Sequence, residues 1–355
     1  KDCTYLSSVK LMPALDGYSV VYTIGARAFE NCGSSLTKKY FTLNQNGQEI
    51  RSIGENAFLG ARLNTVDSFL TQDVIYNNVD KTAIIYVNPN VTTLDLSATQ
   101  ITEIPAYAFA NSKLTSITLP STLKTIGEGA FSGSLLKSID LSATQITQIP
   151  AYAFANSKLE TITLSNRVVK VGNLAFAYCT NLKEVEFADV NAVFGDMVFA
   201  YCTSLKKVAL PSFVSNSETK TEALGSYTFY GASALKTVTF GVNSNTTGNY
   251  TFSNSGIEKV YASGSSESGV LLRQGQTTLE EGLFMNCRNL SQVTLLDTVT
   301  QIDLGAFENC TFTDIVLSNV ESIGERAFYN VPLQTLDLEK VKTVGYGAFA
   351  VESEG

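Results

Sequence analysis

The stretch 136–159, LKSIDLSATQITQIPAYAFANSKL, sets out an apolar pattern that most of the chain repeats. It opens with Leu136, Ile139 and Leu141 in the spacing L-x-x-I-x-L. The period-2 ending predicts a short strand with Ser138, Asp140 and Ser142 outward. The spacing returns at Leu114-Ile117-Leu119, Leu159-Ile162-Leu164, Leu182-Val185-Phe187, Leu205-Val208-Leu210, Leu235-Val238-Phe240, Leu290-Val293-Leu295 and Leu333-Leu336-Leu338. Such strands pair in parallel between neighbouring units, about 4.8 Å apart. A second apolar pair follows, ending in Gly at Ile126-Gly127, Val171-Gly172 and Ile323-Gly324, or in Pro at Ile104-Pro105 and Ile149-Pro150. Gly near a turn and Pro at a first helical position predict a short helical turn there. That turn carries a phenylalanine, usually as Ala-Phe, with its ring in the core.

The phenylalanine comes thirteen times: Phe29, Phe58, Phe109, Phe131, Phe154, Phe176, Phe199, Phe229, Phe252, Phe284, Phe307, Phe328 and Phe349. Most gaps are 21 to 23 residues, the longer ones 29, 30, 32 and 51. A fixed period of this length marks a solenoid, in which each unit is covered only by its neighbours. Two residues past Phe stands Asn or Gly in ten of the twelve units that continue, with Tyr178 and Tyr201 the exceptions. Asn and Gly tolerate the left-handed conformation that ends a helix, so this column reads as a C-cap. The next position is small and holds five of the six cysteines: Cys32, Cys179, Cys202, Cys287 and Cys310. These read as buried free thiols. The alternative is a disulfide between adjacent rungs, Cys179 with Cys202 or Cys287 with Cys310.

The whole chain, 1–355, is thus one solenoid of about 14 repeats, cut mid-repeat at both ends. Segments 94–114 and 139–159 are identical except at Leu94/Ile139 and Glu103/Gln148, so a two-rung block has been duplicated. Residues 73–89, DVIYNNVDKTAIIYVNP, predict an inserted β-hairpin, and a second hairpin is expected around Asn46-Gly47. Polar, Ser/Thr-rich insertions at about 212–224 and 262–281 predict two loops on one edge. Such loops either carry function or are tolerated decoration.

Composition narrows the chemistry. A net charge of −8 without a basic cluster argues against nucleic acid or an anionic membrane as partner. No run of 18 apolar residues is present, so no membrane-spanning helix is expected. The chain has no histidine, which removes the commonest general base and zinc ligand. Neither a C-x-x-C spacing nor a D-x-[DN]-x-[DN]-G calcium loop occurs, and no cofactor is implied. The carboxylate pair Glu184 and Glu186 has the residue type for acid/base work, but on an exposed strand it reads as solvated surface.

The combination L-x-x-I-x-L then I-G-x-x-A-F-x-N-C resembles the BspA-like (Treponema-type) leucine-rich repeats. ESIGERAFYN at 321–330, KTIGEGAFSG at 124–133 and LAFAYCTNLKEV at 174–185 carry the likeness, which covers essentially the whole chain. The resemblance implies an α/β leucine-rich repeat solenoid, with a parallel sheet on the concave face and short helical turns opposite. It also implies a secreted or cell-surface protein of a host-associated bacterium, with adhesion or protein binding as its role and no catalytic residues.

On that reading the candidate binding residues lie on the concave face and an edge loop: Asp67, Asp95, Asp140, Glu184, Glu186, Lys207, Lys259 and Tyr261. The expected partner is a host or bacterial surface protein. The alternative is a glycan, with Tyr227, Tyr250 and Tyr261 stacking on sugars near the insertions.

Overall fold

The computed structural model describes residues 8–10, 21–24, 42–44, 49–53, 74–76, 84–88, 90–187, 192–210, 224–239, 247–261, 270–272 and 275–352. From Thr93 onward the described residues form a parallel β-solenoid of stacked coils joined by three ladders. The first is a front sheet of strands Thr93–Asp95, Ser116–Thr118, Ser138–Asp140, Thr161–Thr163, Glu184–Glu186, Lys207–Ala209, Thr237–Thr239, Lys259–Tyr261 and Gln292–Val293. These are the L-x-x-I-x-L segments, paired in parallel and in step, as in Glu184↔Lys207↔Thr237. Period-2 patterning fixes the register, since a one-residue slip would turn Val185 and Val208 outward.

The Ile-Gly and Ile-Pro segments form a second, side sheet and do not lead into helices. Its strands include Glu103–Ile104, Thr125–Ile126, Gln148–Ile149, Lys170–Val171 and Val193–Phe194, then Thr278–Leu279, Gln301–Ile302, Ser322–Ile323 and Thr343–Val344. All pair in parallel. The glycine has a packing reason: a Cβ on Gly127 would sit 2.2 Å from the Ala106 backbone nitrogen of the previous coil.

The third ladder corrects the sequence reading, because the described residues contain no helix where helical turns were expected. Around each Phe the chain makes linked turns, as in Ala108 N→Pro105 O, Ala110 N→Tyr107 O and Ser112 N→Phe109 O. The alternate N–H groups leave the coil: Tyr107 donates to Glu128 O, Phe109 to Ala130 O and Asn111 to Ser132 O of the next coil. A helix over the segment would turn the Phe109 and Asn111 N–H groups back to its own carbonyls. Giving alternate donors to a neighbour requires left-handed residues on either side of the Phe. Such residues stand at Tyr107 and Asn111, Leu174 and Tyr178, Met197 and Tyr201, and Arg326 and Asn330. The Asn/Gly column is therefore left-handed as expected, but it shapes a turn and caps no helix.

The core is a single file of rings. From Phe109 to Phe349 every successive pair of the repeat phenylalanines stacks at 5.2–5.6 Å with planes within 16°. Phe29 and Phe58 lie outside the described residues. Beside the file, Cys179, Cys202, Cys287 and Cys310 are buried free thiols. Each Sγ donates to a Phe carbonyl of the preceding coil, for example Cys202 to Phe176 O at 3.1 Å. Burial pushes the Cys179 and Cys287 thiols up to about 11.

Two segments depart from the plain stack. Val74–Tyr76 and Ile84–Val87 pair antiparallel as two arms of a hairpin. Among the described residues the strands flanking Asn46-Gly47 pair elsewhere, not with each other as expected: Thr42–Asn44 pairs in parallel with Ser8–Lys10, and Glu49–Ile53 with Val21–Ile24. Both flanking strands already have partners from an earlier turn of the chain, which is how a solenoid uses strands. Within 262–281, Val270–Leu271 is a strand wedged into the front sheet between Thr237–Thr239 and Lys259–Tyr261. Burial of Val270 and Leu272 holds it there. Residues 212–223 and 262–269 lie outside the described residues.

Candidate functional site

Two surfaces follow from this plan. The first is the outward face of the front sheet, where the candidate residues were placed. Asp95, Asp140, Glu184, Glu186 and Lys207 are exposed on it and Lys259 is half-buried. Tyr261 is placed on its strand by the backbone, and Asp67 lies outside the described residues. The candidates are spread along the solenoid, and only some are brought together. Glu184 stands directly across from Lys207 in the parallel ladder, while two coils separate Asp95 from Asp140.

Asp95 and Asp140 also have local work. Each carboxylate accepts the backbone N–H two residues on, Ser97 at 2.9 Å and Ser142 at 2.8 Å. These turn contacts hold both below the ordinary carboxylate range. In Asp95 the backbone bond from Ser97 leads, and in Asp140 the side-chain bond from Ser142. They fasten the bend that leaves each front strand, a role open to any Asx residue. Beside the strands, Lys183–Glu160 and Lys236–Glu258 bridge adjacent coils at 2.7 and 2.5 Å.

The front ladder ends at Val293, whereas side sheet and turns continue to Val344 and Ala350. A cleft of about 290 Å³ lies beyond it, lined mainly by Val293, Leu295, Leu296, Val316 and Val320. Its lining brings no two charged groups together. Among the described residues no three Cys, Asp or Glu side chains converge as metal ligands, and no helix is long and apolar enough to cross a membrane.

The second surface is the outside of the turn ladder, of which the sequence reading singled out Tyr227 and Tyr250 alone, as sugar-stacking rings. Left-handed positions throw side chains outward there, and tyrosine occupies many of them. Tyr178 and Tyr201 stack at 4.8 Å, and Tyr227 and Tyr250 at 4.9 Å. Tyr230 joins the two pairs edge-on, 5.4 Å from Tyr201 and 5.6 Å from Tyr227. Glycines of the following coil make room: a Cβ on Gly231 would touch the Tyr201 ring, and one on Gly282 would come within 2.2 Å of Tyr250. Tyr250 donates its hydroxyl to Glu281 at 2.6 Å. Burial first, and then Glu281, raises its phenol above the ordinary range. The signal that could have exposed this surface was the run of tyrosines at fixed offsets from the phenylalanine.

A model of the BspA type leucine rich repeat region, in six copies, matches residues 1–101, 102–221, 215–269 and 272–354. No curated protein matches the chain. Among solved structures, a leucine-rich repeat protein from Eubacterium ventriosum is 19% identical, with 93% of this chain and 90% of that one covered and a TM-score of 0.48. A leucine-rich repeat protein from Bacteroides ovatus is 22% identical over 79% and 83%, with a TM-score of 0.44. A leucine rich cell surface protein from Faecalibacterium prausnitzii is 21% identical over 78% and 83%, with a TM-score of 0.41.

Proposed function

The chain belongs to the BspA-type leucine-rich repeat family, and from that premise we propose that it is a non-enzymatic interaction module, secreted or displayed at the cell surface, that binds a protein partner and serves adhesion. The observation that carries this reading is the shape of what the chain offers. Polar side chains stand in columns along successive parallel strands, and no three Cys, Asp or Glu side chains converge among the described residues. An extended face of this kind suits a broad macromolecular partner better than a small substrate. Asp95, Asp140, Glu184, Glu186, Lys207 and Lys259, with Asp67 and Tyr261 on the same pattern, are the contact residues on this reading.

A glycan ligand has less support. Tyr227 and Tyr250, two of the three rings proposed to stack on sugars, stack on each other, which removes one face of each from any ligand. The test is direct binding of the purified chain to purified extracellular-matrix proteins and to a glycan array. Saturable protein binding, weakened about tenfold by Glu184→Lys with Glu186→Lys, fits the proposal. Binding to glycans alone selects the other ligand class, and binding to neither removes the interaction role.

A further inference from the structure

Charge and aromaticity are distributed unevenly around the coil. Eleven described turn segments surround the phenylalanines, from 105–112 to 345–352. They contain nine of the ten tyrosines between residues 105 and 352 and none of the thirteen lysines in that span. Their charged residues are Glu128, Asp196, Glu280, Glu281, Asp303, Glu308, Glu325 and Glu352, against Arg326 alone. The twelve described lysines all lie outside these turn segments. The described turn face is therefore tyrosine-rich and anionic overall, with Asp196 within the four coils around Phe176, Phe199, Phe229 and Phe252 and Glu280 and Glu281 opening the next.

Five of those tyrosines touch one another across four coils, Tyr178–Tyr201–Tyr230–Tyr227–Tyr250. Tyr178 and Tyr227 remain 41% and 37% exposed, so the row is a surface and not a buried cluster. Mutual stacking fixes the rings before any partner arrives, which lowers the ordering entropy that binding must overcome. Tyrosine is also enriched at protein interfaces, where lysine is depleted. The single cation of the described turn segments shows how the surface treats positive charge. Arg326 places its guanidinium 3.5 Å over the Tyr329 ring and gives two bonds to Glu308, at 2.6 and 3.1 Å.

We propose that the tyrosine row on the turn face, Tyr178, Tyr201, Tyr230, Tyr227 and Tyr250, bordered by Glu281, is a docking surface for a cationic polypeptide segment. Lysine and arginine side chains of the partner lie along the ring edges and hydroxyls and meet the carboxylate as Arg326 meets Glu308. The inference rests on the interaction-module reading but moves the contact from the front sheet to the opposite chemistry on the turns.

The repeat itself supplies a safe set of variants. Tyr178→Asn and Tyr201→Asn install the residue that other coils carry at that left-handed position, and Tyr230→Ala installs the alanine found after Phe109 and Phe154. Fluorescence polarisation with labelled oligolysine, oligoarginine and oligoglutamate peptides at physiological salt gives the readout. The expected result is saturable binding of both cationic peptides, at least about tenfold weaker in the triple variant and unchanged in Glu103→Gln, an exposed side-sheet change that installs the residue found at 148 in the duplicated rung. Asn249→Lys, an exposed change beside Glu281, weakens binding without removing a ring. Equal cationic binding by the wild type, the triple variant and Asn249→Lys overturns the proposal, as does equal affinity for oligoglutamate. Loss of binding only in Glu184→Lys with Glu186→Lys also overturns it, yet leaves the interaction-module reading standing on the front sheet. No binding of these peptides, with matrix-protein binding intact, has the same meaning.

Discussion

At the scale of single residues, the left-handed positions decide what the turn ladder tolerates. Gly282 has φ +59° and lies against the Tyr250 ring, so Gly282→Ala adds backbone strain and a contact that the ring must relieve. A loss of about 1–2 kcal/mol is expected from a urea titration, and no loss would mean that the coil relaxes freely. The thiols give a second prediction. Cys179 and Cys287 hold their protons up to about 11, against about 8.5 in an unfolded chain. A raised folded value means stability fully present below the unfolded value and lost as pH rises through the folded one. Each thiol then contributes on the order of 3 kcal/mol that disappears between roughly pH 8.5 and 11. Replacing both by Ser, which the column carries at 112, 134, 157 and 255, should flatten the fall in urea midpoint over that window; an unchanged slope contradicts the assignment. The Asn/Gly column was legible because composition announces it. Its twin two residues before Phe was only half visible: Gly129, Gly282, Gly305 and Gly347 hint at positive φ, whereas Tyr107, Leu174, Met197 and Arg326 do not.

At the scale of elements, the phenylalanine file was readable from spacing alone and the strands from their alternation. The helix expectation failed for a reason that local sequence cannot express. Whether alternate N–H groups close a helix or reach sideways depends on a neighbour two dozen residues away. Propensity sees the segment, and the ladder is settled between segments. The same limit hid the partners of 42–44 and 49–53, where a turn signal at Asn46-Gly47 suggested a local pairing. The file itself predicts a large effect: Phe176 stacks on Phe154 and Phe199, so Phe176→Ala opens a gap between two rings. A destabilisation of about 3–5 kcal/mol is expected by denaturant titration, well above that of Lys183→Ala, whose exposed bridge to Glu160 contributes under about 1 kcal/mol.

At the scale of the whole molecule, stability is a sum over coils and their contacts with neighbours. Removal of 94–138 joins Thr93 to Ile139 and restores nearly the same local sequence, because 139–159 repeats 94–114. The shortened chain should keep its circular dichroism spectrum and unfold at a modestly lower temperature; collapse of the fold would refute nearest-neighbour behaviour. The repeat made the overall architecture legible, whereas the surfaces were only half so. The front columns follow from strand parity, but the tyrosine row needed the turn geometry to show which side chains leave the core.

Thirty backbone bonds join consecutive turn segments between Tyr107 and Ala350, three at each junction, and in every one the earlier coil donates to the later. Peptide groups aligned in this way add their dipoles along the solenoid axis, with the positive end toward the later coils. Six of the eight turn-face carboxylates, Glu280, Glu281, Asp303, Glu308, Glu325 and Glu352, stand in the last four coils, where that field favours anions. The turn face is thus electrically directed, whereas side-sheet bonds such as Gly127 N→Ile104 O and Gly324 N→Ile302 O run the opposite way.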